Sequence, residues 1–136
     1  MIFQSDRDFQ LWDYTVGHAQ LLLRSPASIS QPFNIDLVFL GVEELDIPTR
    51  LRGLVMMEPE RLIRVGGGSK AIHRLISGGK QHTVVAVAFR IYKNQHDLME
   101  SSLEYFTPDP GKDPGEVLSH SGLFLSLPEV AGQSMD

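Results

Sequence analysis

The alternation of apolar and polar side chains is clearest in the stretch NIDLVFLGVEELDIP, which runs from Asn34 to Pro48. Ile35, Leu37 and Phe39 share one face of a strand while Asp36 and Val38 share the other, the period-two signature of a half-buried strand. Gly41 interrupts the run, as glycine does at a bulge or where a neighbouring backbone comes close. Val42, Leu45 and Ile47 resume the spacing until Pro48 ends it. Upstream, FQLWDYTV at residues 9–16 alternates residues that suit a pleated surface, Gly17-His18 stands where a turn is needed, and AQLLLRS reads as the return strand. Both faces of this hairpin carry apolar residues, which places it inside a sheet. The polar loop SPASISQP then leads into the central strand.

Beyond Pro48, Leu54, Val55, Met56 and Met57 form the body of another strand, stopped at Glu58-Pro59-Glu60. Pro59 could equally open a short helix at its first position, and RLIRV is too short to decide. After Gly66-Gly67-Gly68, the spacing predicts a helix of about two turns: Ser69 as N-cap, Ala71, Ile72, Leu75 and Ile76 as its stripe, and Gly78-Gly79 as its stop. TVVAVAFRIY, residues 83–92, is β-branched and apolar on both faces and reads as one central strand. Residues 97–106 fit either period, with a slight preference for a strand pairing back onto residues 83–92. TPDPGKDPGE cannot pack, whereas VLSHSGLFLSL is apolar enough to dock on the domain or on a second copy, as an added strand at an open edge. The final eight residues are expected to fray. Trp12, Leu37, Phe39, Val85, Val87 and Phe89 are expected to share one core.

The pattern predicts a mainly β fold, α+β at most: an antiparallel sheet or a small sandwich or barrel with one or two short helices. A single domain over residues 1–106 would be followed by a Pro/Gly-rich tail, 107–136, that carries the apolar docking segment. The length of 136 residues and an apolar share of 42% suffice for one buried core. The absence of cysteine excludes a disulfide framework, a thiolate nucleophile and any sulfur-ligated zinc. The opening MIFQSDRDFQLW has no basic segment followed by an apolar run, and no run reaches the ~20 residues of a bilayer span, so a cytoplasmic protein with no membrane partner is expected.

Charge changes the picture more. Residues 1–49 carry a net −5, residues 50–93 a net +7 and residues 94–136 a net −7. One reading mixes these charges over a single surface; the other makes a basic face for an acidic protein partner. The glycines beside Lys70 and Lys80 invite a phosphate-loop reading, but Arg74 occupies the first glycine position and Gln81 the Ser/Thr position of that motif. GGGSK opening a helix remains a candidate anion site. Its candidate residues are Gly67, Gly68, Ser69 and Lys70, with Arg50, Arg52, Arg64 and Arg74 as further partner-binding candidates.

His18, His73, His82, His96 and His120 form no His-x-x-x-His or HExxH spacing, so no metal ligand is assigned and no cofactor is expected. Ser121-Gly122 lacks the first glycine of a nucleophile elbow, and Asp6/Asp8 and Glu43/Glu44 read as exposed charges. No catalytic residue is assigned and the expectation is a non-enzyme. Only Phe89 and Tyr92 stand near Arg90 as a basic–aromatic cluster, and the acidic chain ends argue further against nucleic acid.

LWDYTVGHAQLLLRS, followed by NIDLVFLGVEELDIP and LRGL, resembles the layout of small bacterial β-rich families of uncharacterised function, some grouped with immunity proteins of polymorphic toxin systems. The resemblance covers about residues 9–57 and rests on a strand-turn-strand pattern with an F-x-G-V-type strand. It implies a stoichiometric binder that masks a protein partner, and it carries over no residue-level role. Two functions are therefore expected in order: non-enzymatic protein binding, with a homodimer through the C-terminal segment as one form, then small-ligand or anion binding by the Gly-rich loop and its basic neighbours.

Overall fold

The computed structural model describes residues 1–62, 70–103 and 113–121. Their strands form one antiparallel sheet: β1 (Phe3–Thr15), β2 (Gln20–Ser25), β3 (Asn34–Leu40), β4 (Glu44–Asp46), β5 (Arg50–Met56), β6 (Glu60–Leu62), β7 (Lys70–Ser77), β8 (Lys80–Ala86), β9 (Ala88–Asn94) and β10 (Glu116–His120). The order is β10-β9-β3-β2-β1-β5-β7-β8-β4, with β6 also on β7, so the pairing does not close into a ring. The mainly β expectation holds. No α-helix occurs among the described residues.

Two bent tracks shape the sheet. Along β1, residues from Phe3 to Gln10 pair with β5 and residues from Gln10 to Thr15 with β2, so one strand passes the sheet from one half to the other. The second track runs where β3 pairs with β9 and β4 with β8. The expected single strand over residues 83–92 is in fact two, broken at Val87, whose N–H donates to the Leu40 carbonyl at 2.9 Å. Gly41 lies at the same bend with φ +65°, and a Cβ there would sit 2.6 Å from Val87 Cγ2. The glycine read as a close approach is one, and it lets both tracks turn together.

The expected helix over residues 70–77 is β7. Its apolar residues satisfy either period, but β7 pairs with β5, β6 and β8, and His73, Leu75 and Ser77 are buried alternately. Sheet pairing outweighs the ~two-turn helix, which is too short to hold itself. Gly78-Gly79, with φ of 58° and 77°, join Ser77 to Lys80 as a two-residue hairpin turn instead of stopping a helix. Residues 97–103 hold turns and a short 3₁₀ stretch, so the strand preferred there is absent; residues 104–106 lie outside the described residues. β9 takes β3 and β10 as partners, which leaves no edge for that strand.

Because the halves fold over each other, residues from both build the main core, including Phe9, Leu23, Leu37, Phe39, Leu54, Leu75, Val84, Phe89 and Ile91. β3 is buried on both faces rather than half-buried, because Leu22, Val38, Tyr92 and Leu103 form a second cluster outside it. Trp12 belongs with that outer cluster, not with Phe39 and Phe89. It sits at the irregularity of β1 between Leu11 and Asp13, where strict alternation is interrupted. Val85 is buried without joining either cluster and Val87 is half-buried, so neither belongs to the common core expected for them. β10 shows residues 116–120 adding to the sheet beside β9, while Leu123, Phe124, Leu125 and Leu127 lie outside the described residues.

Phe39→Ala should lower the unfolding free energy by about 3–5 kcal/mol, because a fully buried ring leaves a cavity between the sheet halves. Gly41→Ala should cost more than about 1 kcal/mol, from its positive φ and the Val87 contact combined. Urea titrations of both variants measure these losses.

Candidate functional site

Arg24 on β2 and Asp36 on β3 are register partners, both wholly buried on the outer face. Arg24 donates from Nε to Asp36 Oδ1 at 2.7 Å and from Nη2 to Oδ2 at 2.9 Å, a two-pronged pair. Its Nη1 reaches the carbonyls of Glu100 at 2.6 Å and Leu98 at 3.3 Å, and the guanidinium lies 5.5 Å from the Trp12 ring. Asp36 Oδ2 also accepts from Ser102 Oγ and, at 2.8 Å, from Asn94 Nδ2. Asn34 Nδ2 donates to Asn94 Oδ1 and to the His96 carbonyl. The pair therefore holds the 97–103 loop against the sheet.

Serine, histidine and carboxylate meet here, but they are not wired for nucleophilic attack. Ser102 gives its hydroxyl proton to Asp36, whereas a triad needs the carboxylate on the imidazole and the imidazole on the serine. Ser102 is also wholly buried, and His96 Nδ1 lies 3.2 Å from its oxygen. The arrangement fixes a loop.

What the loop presents is apolar. Leu98 is 56% exposed and Met99 87% exposed, while Ser101 ties the next turn to β1 by donating to Asp13 Oδ2 at 2.7 Å. Gln10, Leu11, Trp12, Asp13, Met99 and Ser101 line a shallow depression of about 420 Å³ beside them.

A second depression, of about 340 Å³, opens at the end of the main core and is lined by Pro59, Arg61, Lys70, Ala71, His73, Val87 and Ser121. His73 stands edge-on to Phe39 and Phe89, at centroid distances of 5.2 and 5.6 Å. Its Nδ1 lies 3.1 Å from the Val84 carbonyl, which can only accept, so Nδ1 carries the proton. Nε2 has no hydrogen-bond partner among the described residues. Burial pushes the imidazole pKa below its ordinary value, against the opposing pull of the Val84 and Ala71 carbonyls.

The basic candidates are not gathered into one site. Arg50 and Arg52 are exposed on β5, opposite Gln10 and Asp8 of β1. Arg74 pairs with Glu60 at 3.1 Å, while Lys70 donates to the Gly41 carbonyl at 2.9 Å. Lys70 begins β7 and Ser77, which donates to the Arg52 carbonyl, ends it, so Lys70 and Arg52 sit on the order of 23 Å apart along the strand. Arg64, Gly67, Gly68 and Ser69 lie outside the described residues. With β7 a strand, the expected helix N-terminus after the glycines is not there to draw an anion. Arg24, Asp36 and the unsatisfied face of His73 escaped sequence reading. A charged residue inside each of the apolar runs LLLRS and NIDLV was the available signal for the first two.

Among the described residues no three His, Cys, Asp or Glu side chains gather as a metal site, and no helix is long and apolar enough to cross a membrane. Comparison of the chain with protein-family models, curated proteins and solved structures returned no match.

Removing one member of the buried pair strands the other. Asp36→Ala should cost about 3–5 kcal/mol, and the double change Arg24→Met/Asp36→Leu should cost less than Asp36→Ala alone. Denaturant titration compares them. His73 supplies a pH effect of definite sign. Its folded pKa lies below the unfolded value near ~6.5, so the unfolded chain binds the extra proton and stability falls as pH drops below that value. Between pH 7.5 and 5.5 the melting temperature of wild type should therefore fall by more than that of His73→Leu.

Proposed function

We propose that this chain is a non-enzymatic protein-binding domain that docks a partner on the outer face of its sheet, around the 97–103 loop. The observation that carries the reading is the fixing of Leu98 and Met99 in solvent by a wholly buried ion pair. An apolar pair on an unanchored loop would lose conformational freedom on binding; here Arg24 and Asp36 have removed much of it beforehand. Trp12, half-buried next to the depression, supplies an aromatic anchor of the kind that dominates interfaces. Immunity-type masking is the biological form that the resemblance over residues 9–57 suggests for such a binder.

An acidic partner would favour a different surface, the exposed Arg50 and Arg52 of β5. A second copy of the chain would favour β10, which ends the sheet and exposes Val117 and Leu118. A photo-cross-linking residue at position 99, expressed in the native host, should capture one protein species in equimolar amount. The purified species should bind Leu98→Asp/Met99→Asp at least tenfold more weakly than wild type, and Arg50→Glu/Arg52→Glu equally well. If loss follows the arginines instead, or the captured species is the chain itself, the loop surface is not the docking site. If no stoichiometric protein is captured, the reading fails.

A further inference from the structure

We infer that the depression over His73 is a binding site for a small organic hydroxy acid, with the carboxylate at Arg61 and Lys70 and the hydroxyl at His73. The site lies on a different part of the sheet from the 97–103 loop, and the inference does not rest on the protein-binding reading. Arg61 is opposite Ala71 in the β6–β7 pairing, so the two strands bring Arg61, Ala71 and, two residues on, His73 to one mouth of the core. Mouths of folded-over sheets are where small ligands lodge, and about 340 Å³ is within the lower range of such sites.

Each wall asks for a different chemistry. Pro59, Ala71 and Val87 offer apolar contact and suit a compact hydrocarbon or aromatic body. Among the described residues Lys70 uses one of its three ammonium N–H groups, on the Gly41 carbonyl. Arg61 is exposed and adds a planar fork suited to a carboxylate. His73 sets the other end. With the Nδ1 proton committed to Val84, a neutral ring offers only a lone pair at Nε2, so it calls for a donor and rejects a second anion. Nε2 is a buried acceptor with no partner among the described residues, and a hydroxyl reaching it satisfies that lone pair. Placing the cations at the rim and a lone pair at the floor orients an acid with its hydroxyl inward.

The test uses the full chain, labelled with ¹⁵N in its histidine rings, against a panel of 2-, 3- and 4-hydroxybenzoate and short aliphatic hydroxy acids. At least one member should shift the His73 Nε2 resonance saturably, while benzoate and phenol should bind at least tenfold more weakly than that member. Arg61→Gln, a change at an exposed position, should weaken the hydroxy acid at least tenfold and leave phenol unaffected. Lys70→Met should act in the same direction. Absence of any saturable His73 shift across the panel at 5 mM overturns the inference. So does binding that Arg61→Gln leaves unchanged, or equal affinity for benzoate.

Discussion

The pairing of Arg24 with Asp36 is the constraint on which the outer half of this structure depends. Neither charge could be left in the interior without every polar atom being answered, since desolvation of each ion costs several kcal/mol. The two strands answer only part of that demand. The rest comes from the Leu98 and Glu100 carbonyls, the Ser102 hydroxyl and the Asn94 amide, and Asn94 in turn holds the Pro114 carbonyl. Segments distant in sequence thus converge because the ion pair requires them. The outer cluster of Leu22, Val38, Tyr92 and Leu103 is sealed beneath the same lid.

Arg7 repeats the device at smaller scale near the start of β1. Its guanidinium donates to the carbonyls of Ser25, Pro26 and Phe33 and lies 4.9 Å from the Phe33 ring, pinning the loop between β2 and β3. Burial lowers its pKa, with Asp6 opposing. These two arginines are the basic residues of the acidic first third of the chain, and both work inward. Charge along the sequence is therefore a poor guide to charge in space: Arg74 meets Glu60, Arg52 sits opposite Asp8, and Lys70 turns to a carbonyl.

The strands were legible wherever period two had no competitor, as in FQLWDYTV and NIDLVFL. β7 was not, because Ala71, Ile72, Leu75 and Ile76 fit both periods and Ser69 and Gly78 supplied convincing helix punctuation. What decided the matter was hydrogen bonding to β5, β6 and β8, which no local window contains. The break at Val87 was hidden for a similar reason, since the glycine that permits it is Gly41 on another strand. The sites were less legible still. Arg24 and Asp36 each look like an ordinary surface charge until their strands pair, and His73 has no spacing motif to mark it.

β1 divides its pairing between two partners, and this has a kinetic consequence. Its later half meets β2 across a short turn, a local contact that can form within microseconds. Its earlier half must wait for β5, and the β3–β9 pairing brings Asn34 to Asn94 only after some sixty intervening residues have been synthesised. Such non-local closure pays its entropy before any contact rewards it, so folding belongs in the millisecond-to-second regime of β topologies. During that interval β3 can pair locally with β2 alone, and a chain stalled there exposes an apolar strand whose β9 edge stands open.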